Sequence, residues 1–153
     1  MKQYFIVRHD LNMRKGKIAS QCAHASNAIL LDDIKKHQFK WAIRCIYFYF
    51  FKKWIFNDDI SKWLNGNFTK IVLQTKYKKS NPFIRDYTPE QTLDKMYETA
   101  KSLGVYCSII TDNGLTEFND NKTKTVVCIG PINTKDKNKE NVLTFLLNEF
   151  KLM

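Results

Sequence analysis

The sequence has 153 residues, of which 44% are hydrophobic, 14% aromatic and 26% charged. This composition suits one folded domain and excludes a disordered or low-complexity chain. The 25 lysines and arginines exceed the 15 aspartates and glutamates, which gives a formal net charge of +10. That excess favours an anionic partner, either nucleic acid or an acidic membrane surface, although the compositional bias of an AT-rich genome would also raise the lysine content.

The first half of the chain predicts a strand, a long helix and a second strand. Tyr4–Val7 is a short apolar run rich in β-forming residues, and Thr69–Lys76 alternates apolar side chains as a strand does. Between them, the segment from Lys17 to about Lys36 has helical spacing. Its first half carries small residues, which let a helix lie close against a sheet.

The longest apolar stretch runs from Trp41 to Phe51, inside an extended aromatic segment at about 37–59. It is shorter than the ~20 apolar residues that a membrane span needs, so we expect no transmembrane segment. Arg44 interrupts the stretch, and Lys52 and Lys53 follow it. We expect a helix that packs into the core, with a helix lying in a membrane interface as the alternative.

The second half of the chain predicts a capped helix, two strands and a last helix. Thr88 and Gln91 form a capping box around Pro89, and apolar residues then follow helical spacing until Gly104. The later elements are expected at Val105–Ile110, Thr125–Ile129 and Asn138–Phe150. This order predicts a single α/β domain over residues 1–153, with a mixed four-stranded β-sheet flanked by helices (an α/β sandwich).

Basic residues are concentrated in the middle of the chain. From Ile60 to Arg85 there are six basic residues and no acidic one. They are Lys62, Lys70, Lys76, Lys78, Lys79 and Arg85. This distribution favours a one-sided basic surface that contacts phosphates.

Several catalytic signatures are absent from the sequence, including the phosphate-binding G-x-x-x-x-G-K-[ST], the nucleophile elbow G-x-S-x-G and the metal-binding H-E-x-x-H. The four cysteines form no C-x-x-C pair, and the three histidines lack partners at metal-ligand spacing. We therefore expect free thiols in an intracellular protein that uses neither a metal nor another cofactor.

A dense polar segment joins the first strand to the first helix. Arg14, Lys15 and Lys17 cluster where the helix begins, so their charges, the free N–H groups and the helix dipole would hold a phosphate or a developing oxyanion. Gln21 and His24 follow about one and two turns later, near the same face as Lys17. The simpler interpretation is a solvated basic turn followed by a partly buried histidine.

A second polar segment follows a predicted strand. Asp112 comes directly after the strand, Asn113 and Gly114 form a turn dipeptide, and Thr116 stands just beyond them. The simpler interpretation is a hairpin connection in which Asp112 bonds to its own turn.

Together the two segments resemble the archaeal and eukaryotic type of peptidyl-tRNA hydrolase. The family's first motif, D-L-K-M-G-K-G-K-[IV]-A-A-Q-x-x-H-A, is matched by residues 10–25, and its second, D-A-G-x-T…[ST]-x-T-V-x-x-I-G-P, by residues 112–116 and 123–131. Between the motifs, Trp63, Gly66 and the run Lys70–Val72 resemble the family's strand entry, and residues 150–152 are similar to its L-K-L terminus. Three departures from the family matter: Arg14 replaces a glycine, Asn113 replaces an alanine, and segment 37–59 is longer and more aromatic.

The resemblance implies hydrolysis of the ester that joins a peptide, or an N-blocked amino acid, to the terminal ribose of tRNA. The implied catalytic residues are Lys17, Asp112 and Thr116. The implied substrate-binding residues are Arg14, Lys15, Gln21, His24 and Thr125. The implied partner is tRNA and not DNA, the implied location is the cytoplasm, and a homodimer is left open. A catalytically weak tRNA- or protein-binding module on the same fold is the alternative function.

Overall fold

The computed structural model describes residues 1–54, 56, 58–77, 87–133 and 140–153. Its strands are β1 (Lys2–Val7), β2 (Thr69–Tyr77), β3 (Cys107–Asp112), β4 (Thr123–Ile132) and β5 (Phe150–Leu152). Its helices are α1 (Lys15–Lys36), α2 (Gln38–Phe51), α3 (Asp59–Leu64), α4 (Pro89–Ser102) and α5 (Glu140–Asn148). The strands form one five-stranded sheet in the order β3-β4-β1-β2-β5.

Strand β1 lies at the centre of this sheet. It pairs in parallel with β2 and antiparallel with β4. Its Phe5, Ile6 and Val7 are buried to 1% exposure or less, as expected of a strand that is covered on both faces.

Helices cover both faces of the sheet. Because successive side chains of a strand point to opposite faces, Ile6 belongs to a core with Leu93 and Met96 of α4, whereas Phe5 belongs to a core with Ile29 of α1. The predicted α/β sandwich is therefore confirmed. All four cysteines are free thiols, as predicted.

The predicted number of four strands is wrong, because the C-terminal residues form a fifth. Strand β5 pairs antiparallel with the outer edge of β2, and Gln74 Nε2 donates to the Leu152 carbonyl at 2.8 Å. Three residues are too few to show a periodicity of their own. Strand β5 forms because the edge of β2 offers it hydrogen-bond partners, and not because its own sequence shows a strand pattern.

The predicted start of α4 is confirmed in detail. The Thr88 hydroxyl accepts from the Gln91 N–H at 3.2 Å, and the Gln91 side chain accepts from the Thr88 N–H at 2.9 Å. The first residues of the expected last helix lie outside the described residues.

The expectation that the aromatic stretch packs into the core is wrong. It forms most of α2, in which Arg44 is the buried residue and large apolar side chains are exposed. The reason is electrostatic: Arg44 turns inward to Asp33 and Asp58, and this orientation turns the apolar side outward. Within the described residues, no helix combines the length and the apolar character that crossing a membrane requires.

Candidate active site

The first turn of α1 and the end of β3 meet at one end of the sheet. Helix α1 packs against β3 and β4, which are antiparallel neighbours. The end of β3 at Asp112 is therefore opposite the start of β4 at Thr123. This arrangement brings the two polar segments of the sequence under the beginning of the same helix.

Lys17 lies between a carboxylate and a hydroxyl. Its Nζ donates to Asp112 Oδ2 at 2.5 Å and to Thr116 Oγ1 at 3.1 Å. The Lys17 and Asp112 side chains are 14% and 12% exposed. The pair is thus largely enclosed, and solvent or a substrate can still reach it.

Two buried side chains fix the Asp112 carboxylate through a chain of hydrogen bonds. Gln21 Nε2 donates to Asp112 Oδ2 at 2.7 Å, and Gln21 Oε1 accepts from Thr125 Oγ1 at 2.8 Å. Gln21 is 4% exposed and Thr125 is fully buried. Since a buried amide with both ends bonded has little freedom to rotate, this chain fixes the position of the carboxylate.

The loop after β3 completes the cluster. Gly114 N–H donates to Asp112 Oδ1 at 2.8 Å, so the simpler interpretation that Asp112 bonds to its own turn is correct, but it omits Lys17. Gly114 has φ +86°, and a Cβ there would come within 2.6 Å of the Asn121 backbone. Only glycine fits this position, which explains the glycine of the second motif.

The hydrogen bond from Lys17 is the main reason why the pKa of Asp112 lies below its ordinary value. Burial is the next largest effect and opposes it, and the Gly114 N–H and the Gln21 amide lower the pKa further. Asp112 is therefore ionised at neutral pH. An ionised carboxylate of low pKa orients a water molecule well and accepts a proton poorly.

The structure does not bring every predicted site residue into this cluster. Lys15 and His24 are exposed, and His24 Nε2 lies 3.3 Å from Ser20 Oγ on its own helix. The interpretation of His24 as partly buried is thus wrong, because it stands on the outer side of α1. Arg14 is 83% exposed, with its Nε 3.4 Å from Glu117.

Sequence reasoning missed one contact of the cluster. The Phe118 ring lies 5.5 Å from Lys17 Nζ, a distance at which an aromatic face attracts a cation. No motif marks this phenylalanine, since its position depends on how the loop after Gly114 folds back. It covers the ammonium on a side where water would otherwise compete.

The predicted basic surface is described only in part. Lys62, Lys70 and Lys76 are exposed, and Lys70 Nζ lies 3.3 Å from the centre of the Phe68 ring. The other basic residues of that stretch, Lys78, Lys79 and Arg85, lie outside the described residues. A basic surface that contacts tRNA stays a prediction.

Comparison with known proteins identifies the family. The family described as peptidyl-tRNA hydrolase PTH2 matches residues 1–143. A peptidyl-tRNA hydrolase of Sulfurisphaera tokodaii is 32% identical over 140 residues, which are 89% of this chain and 91% of that protein. A probable peptidyl-tRNA hydrolase 2 of Schizosaccharomyces pombe is 32% identical over 85% of this chain and 48% of its own length. A peptidyl-tRNA hydrolase of Methanocaldococcus jannaschii is 29% identical over 86% of each chain. Because these matches span both motifs of the cluster, the chain belongs to the peptidyl-tRNA hydrolase PTH2 family, a family of carboxylic ester hydrolases that act on peptidyl-tRNA.

Proposed function

We propose that this hydrolase cleaves the ester between a peptide, or an N-blocked amino acid, and the terminal ribose of tRNA at the cluster of Lys17, Asp112 and Thr116. One observation carries this assignment. Lys17 and Asp112 are separated by 95 positions in the chain, yet they are directly hydrogen-bonded in a partly accessible site. A cation and a carboxylate at one opening are what ester hydrolysis by water needs.

Lys17 is proposed to stabilise the negative charge that develops on the ester carbonyl oxygen. An ammonium has three N–H donors. Two of its hydrogen bonds go to Asp112 and Thr116, and the remaining donor capacity can point to a substrate oxygen. Donors that are already fixed before the reaction stabilise such a charge without reorganisation.

Asp112 and Thr116 are proposed to orient the attacking water. The lowered pKa of Asp112 keeps it anionic, so it accepts a hydrogen bond from the water and keeps the Lys17 ammonium in place. The Thr116 hydroxyl is exposed next to the same ammonium and can both donate and accept. Gln21 and Thr125 act as positioning residues behind the carboxylate.

The exposed residues around the cluster are proposed to hold the tRNA end. Arg14 and Lys15 stand at the start of α1, where backbone N–H groups and the helix dipole also favour a phosphate. His24 stands further along the exposed side of the helix and would bond to the ribose or to the peptide carbonyl. These contacts would raise the affinity for tRNA without taking part in the chemical step.

We further propose that residues 1–153 form a single domain that works in the cytoplasm. Sedimentation of the purified chain tests whether it forms a homodimer.

The alternative function, a weakly catalytic module that binds tRNA or a protein, predicts binding without turnover. The buried Gln21–Thr125 support of Asp112 argues against it, because a binding surface does not need a carboxylate fixed so closely.

The deciding experiment measures the release of free tRNA from N-acetyl-aminoacyl-tRNA. The wild type should release tRNA, and Lys17→Ala should be slower by orders of magnitude. Lys35→Ala removes an equal charge from the exposed far end of α1 and should leave the rate unchanged. Tight tRNA binding with no release by the wild type would instead support the binding module.

Chelation should leave this rate intact. Among the described residues, no group of three or more His, Cys, Asp and Glu side chains is arranged to hold a metal ion. If EDTA abolishes the activity and a divalent ion restores it, the reaction needs a metal ion that the proposed mechanism does not include.

A further inference from the structure

Helix α2 directs its apolar side chains outward. Five of its large side chains, Phe39, Ile46, Tyr49, Phe50 and Phe51, are between 62% and 81% exposed. A helix on the surface of a globular domain normally shows the opposite arrangement, with its polar side facing water.

A buried ionic network fixes this orientation. Arg44 is fully buried and bonds to Asp33, at 3.1 Å, and to Asp58. Its guanidinium also lies 4.6 Å from the centre of the Trp41 ring, and the Trp41 Nε1–H donates to Asp33 at 2.7 Å. Rotating α2 to bury the phenylalanines would pull these charges apart. The outward apolar side is therefore built into the fold.

The exposed side chains form a continuous stripe. Phe39, Ile43, Ile46 and Phe50 stand at positions i, i+4, i+7 and i+11, which is one face of a helix, and Tyr49 lies beside them. The helix has 14 residues and is thus about 21 Å long. Exposed apolar surface of this extent marks an interaction site.

Charge around the stripe identifies its partner. Lys35 and Lys36 precede the helix and Lys52 and Lys53 follow it, all of them exposed, and residues 38–51 contain no acidic residue. Lys36 is paired with Asp32, and the net charge of the chain is +10. A second copy would bring the same positive charges face to face, whereas an anionic lipid surface complements them.

We propose that α2 docks on the surface of an anionic lipid bilayer, with its aromatic stripe among the headgroups and its flanking lysines on the phosphates. Phenylalanine stripes with basic ends are typical of helices that lie in the membrane interface. With 14 residues the helix is too short to cross a bilayer, so it lies along the surface.

This docking is independent of the hydrolysis site. Lys17 is in the first turn of α1, and α2 begins after the last turn of the same helix, which has 22 residues and is about 33 Å long. The two sites are therefore at opposite ends of α1. The protein can be held on a membrane while its proposed active site stays open to tRNA.

The test is flotation of the full chain with phosphatidylcholine vesicles, with and without phosphatidylserine. The wild type should float with the phosphatidylserine vesicles. The triple variant Phe39→Ser, Ile46→Ser, Phe50→Ser keeps the net charge and should bind them at least about tenfold more weakly, because it removes the apolar contacts. Lys52→Glu with Lys53→Glu should weaken binding only to the anionic vesicles. Phe145→Ser, which removes an exposed phenylalanine of α5, is the matched control and should not weaken binding.

Three outcomes overturn the proposal. One is a wild type that does not float with the anionic vesicles. Another is a triple variant that floats as well as the wild type, since attraction to the charge alone would then explain binding. The third is a wild-type dimer in sedimentation that the triple variant dissociates without any vesicle binding, which would assign the stripe to a second copy. Unchanged tRNA release shows that the triple variant is folded; if release is lost, Phe39→Ser alone, at an 81% exposed position, decides the question.

Discussion

Two clusters of charged residues lie at the two ends of α1, and they differ in how far their charges are exposed to solvent. At the beginning of the helix, the Lys17–Asp112 pair is 14% and 12% exposed and shares its bonds with the exposed Thr116. At the end of the helix, the pair that Asp33 of its last turn forms with Arg44 of α2 is 2% and 0% exposed and lies among aromatic rings. The first pair keeps its charges within reach of a substrate, whereas the second is enclosed.

The difference predicts separate consequences for activity and stability. Removing one partner of an enclosed pair leaves a buried charge unpaired, which costs about 3–5 kcal/mol of the free energy of unfolding. Removing a charge that water can reach costs far less. We therefore expect the first cluster to affect the rate and the second to affect stability.

The largest expected effect is on turnover, from the Lys17–Asp112 pair. Lys17→Ala and Asp112→Ala should each lower the rate of tRNA release by orders of magnitude, and the double variant should be little slower than either, because the two side chains act as a unit. Unfolding in urea should change by no more than about 1 kcal/mol. Multiplicative losses in the double variant would mean that the two residues act independently.

The next effect is on stability, from Arg44. Arg44→Met keeps the aliphatic bulk and leaves Asp33 buried without its cation, so the free energy of unfolding should fall by about 3–5 kcal/mol. Urea unfolding measures this loss, and tRNA release by the folded fraction should be normal. Lys36→Ala breaks the exposed Lys36–Asp32 pair as a control, and its unfolding in urea should match that of the wild type.

A smaller effect is expected in acid, from Asp58. Burial raises its pKa, but hydrogen bonds from Lys40 and the Ser61 N–H, with the Arg44 charge, lower it overall to about 2. The pKa of Asp58 in the folded state lies below its ordinary value of 3.8. The stability that its charge contributes is therefore complete above about pH 4 and is lost as the pH falls towards 2.

Urea unfolding of Asp58→Asn beside the wild type isolates this contribution. Asparagine can still cap α3 through Ser61 N–H, but it carries no titrating charge. The variant should therefore be less stable at neutral pH and approach the wild type near pH 2. A constant difference across this range would exclude Asp58 as the source of the acid dependence.

The smallest expected effect comes from Arg14, one of the residues that depart from the family motifs. Its side chain is 83% exposed, so Arg14→Gly should change the free energy of unfolding by about 0.5 kcal/mol or less. If it contacts a phosphate of the single-stranded tRNA end, the slope of log K against log salt should become shallower by about 0.7. An unchanged slope would place Arg14 outside the tRNA contacts.

Most of the candidate site was predictable from the sequence, but its contacts were not. Lys17, Asp112, Thr116, Gln21 and Thr125 were all singled out from the two motifs, and the structure brings them together. The Phe118 ring was missed because nothing in the local sequence distinguishes it from the other aromatic residues of the chain. The catalytic roles of these residues stay predictions.

Local chemistry allowed the sequence by itself to determine where α4 starts and that a turn follows Asp112. A capping box is made by residues three apart and a turn dipeptide by two neighbours, so both are encoded within a few positions. Only the tertiary structure decided the direction in which α2 faces and the existence of β5. Apolar residues occur on every side of α2, so its orientation is set only when Arg44 bonds to Asp33 and Asp58. A three-residue strand forms only where the edge of β2 supplies its hydrogen bonds.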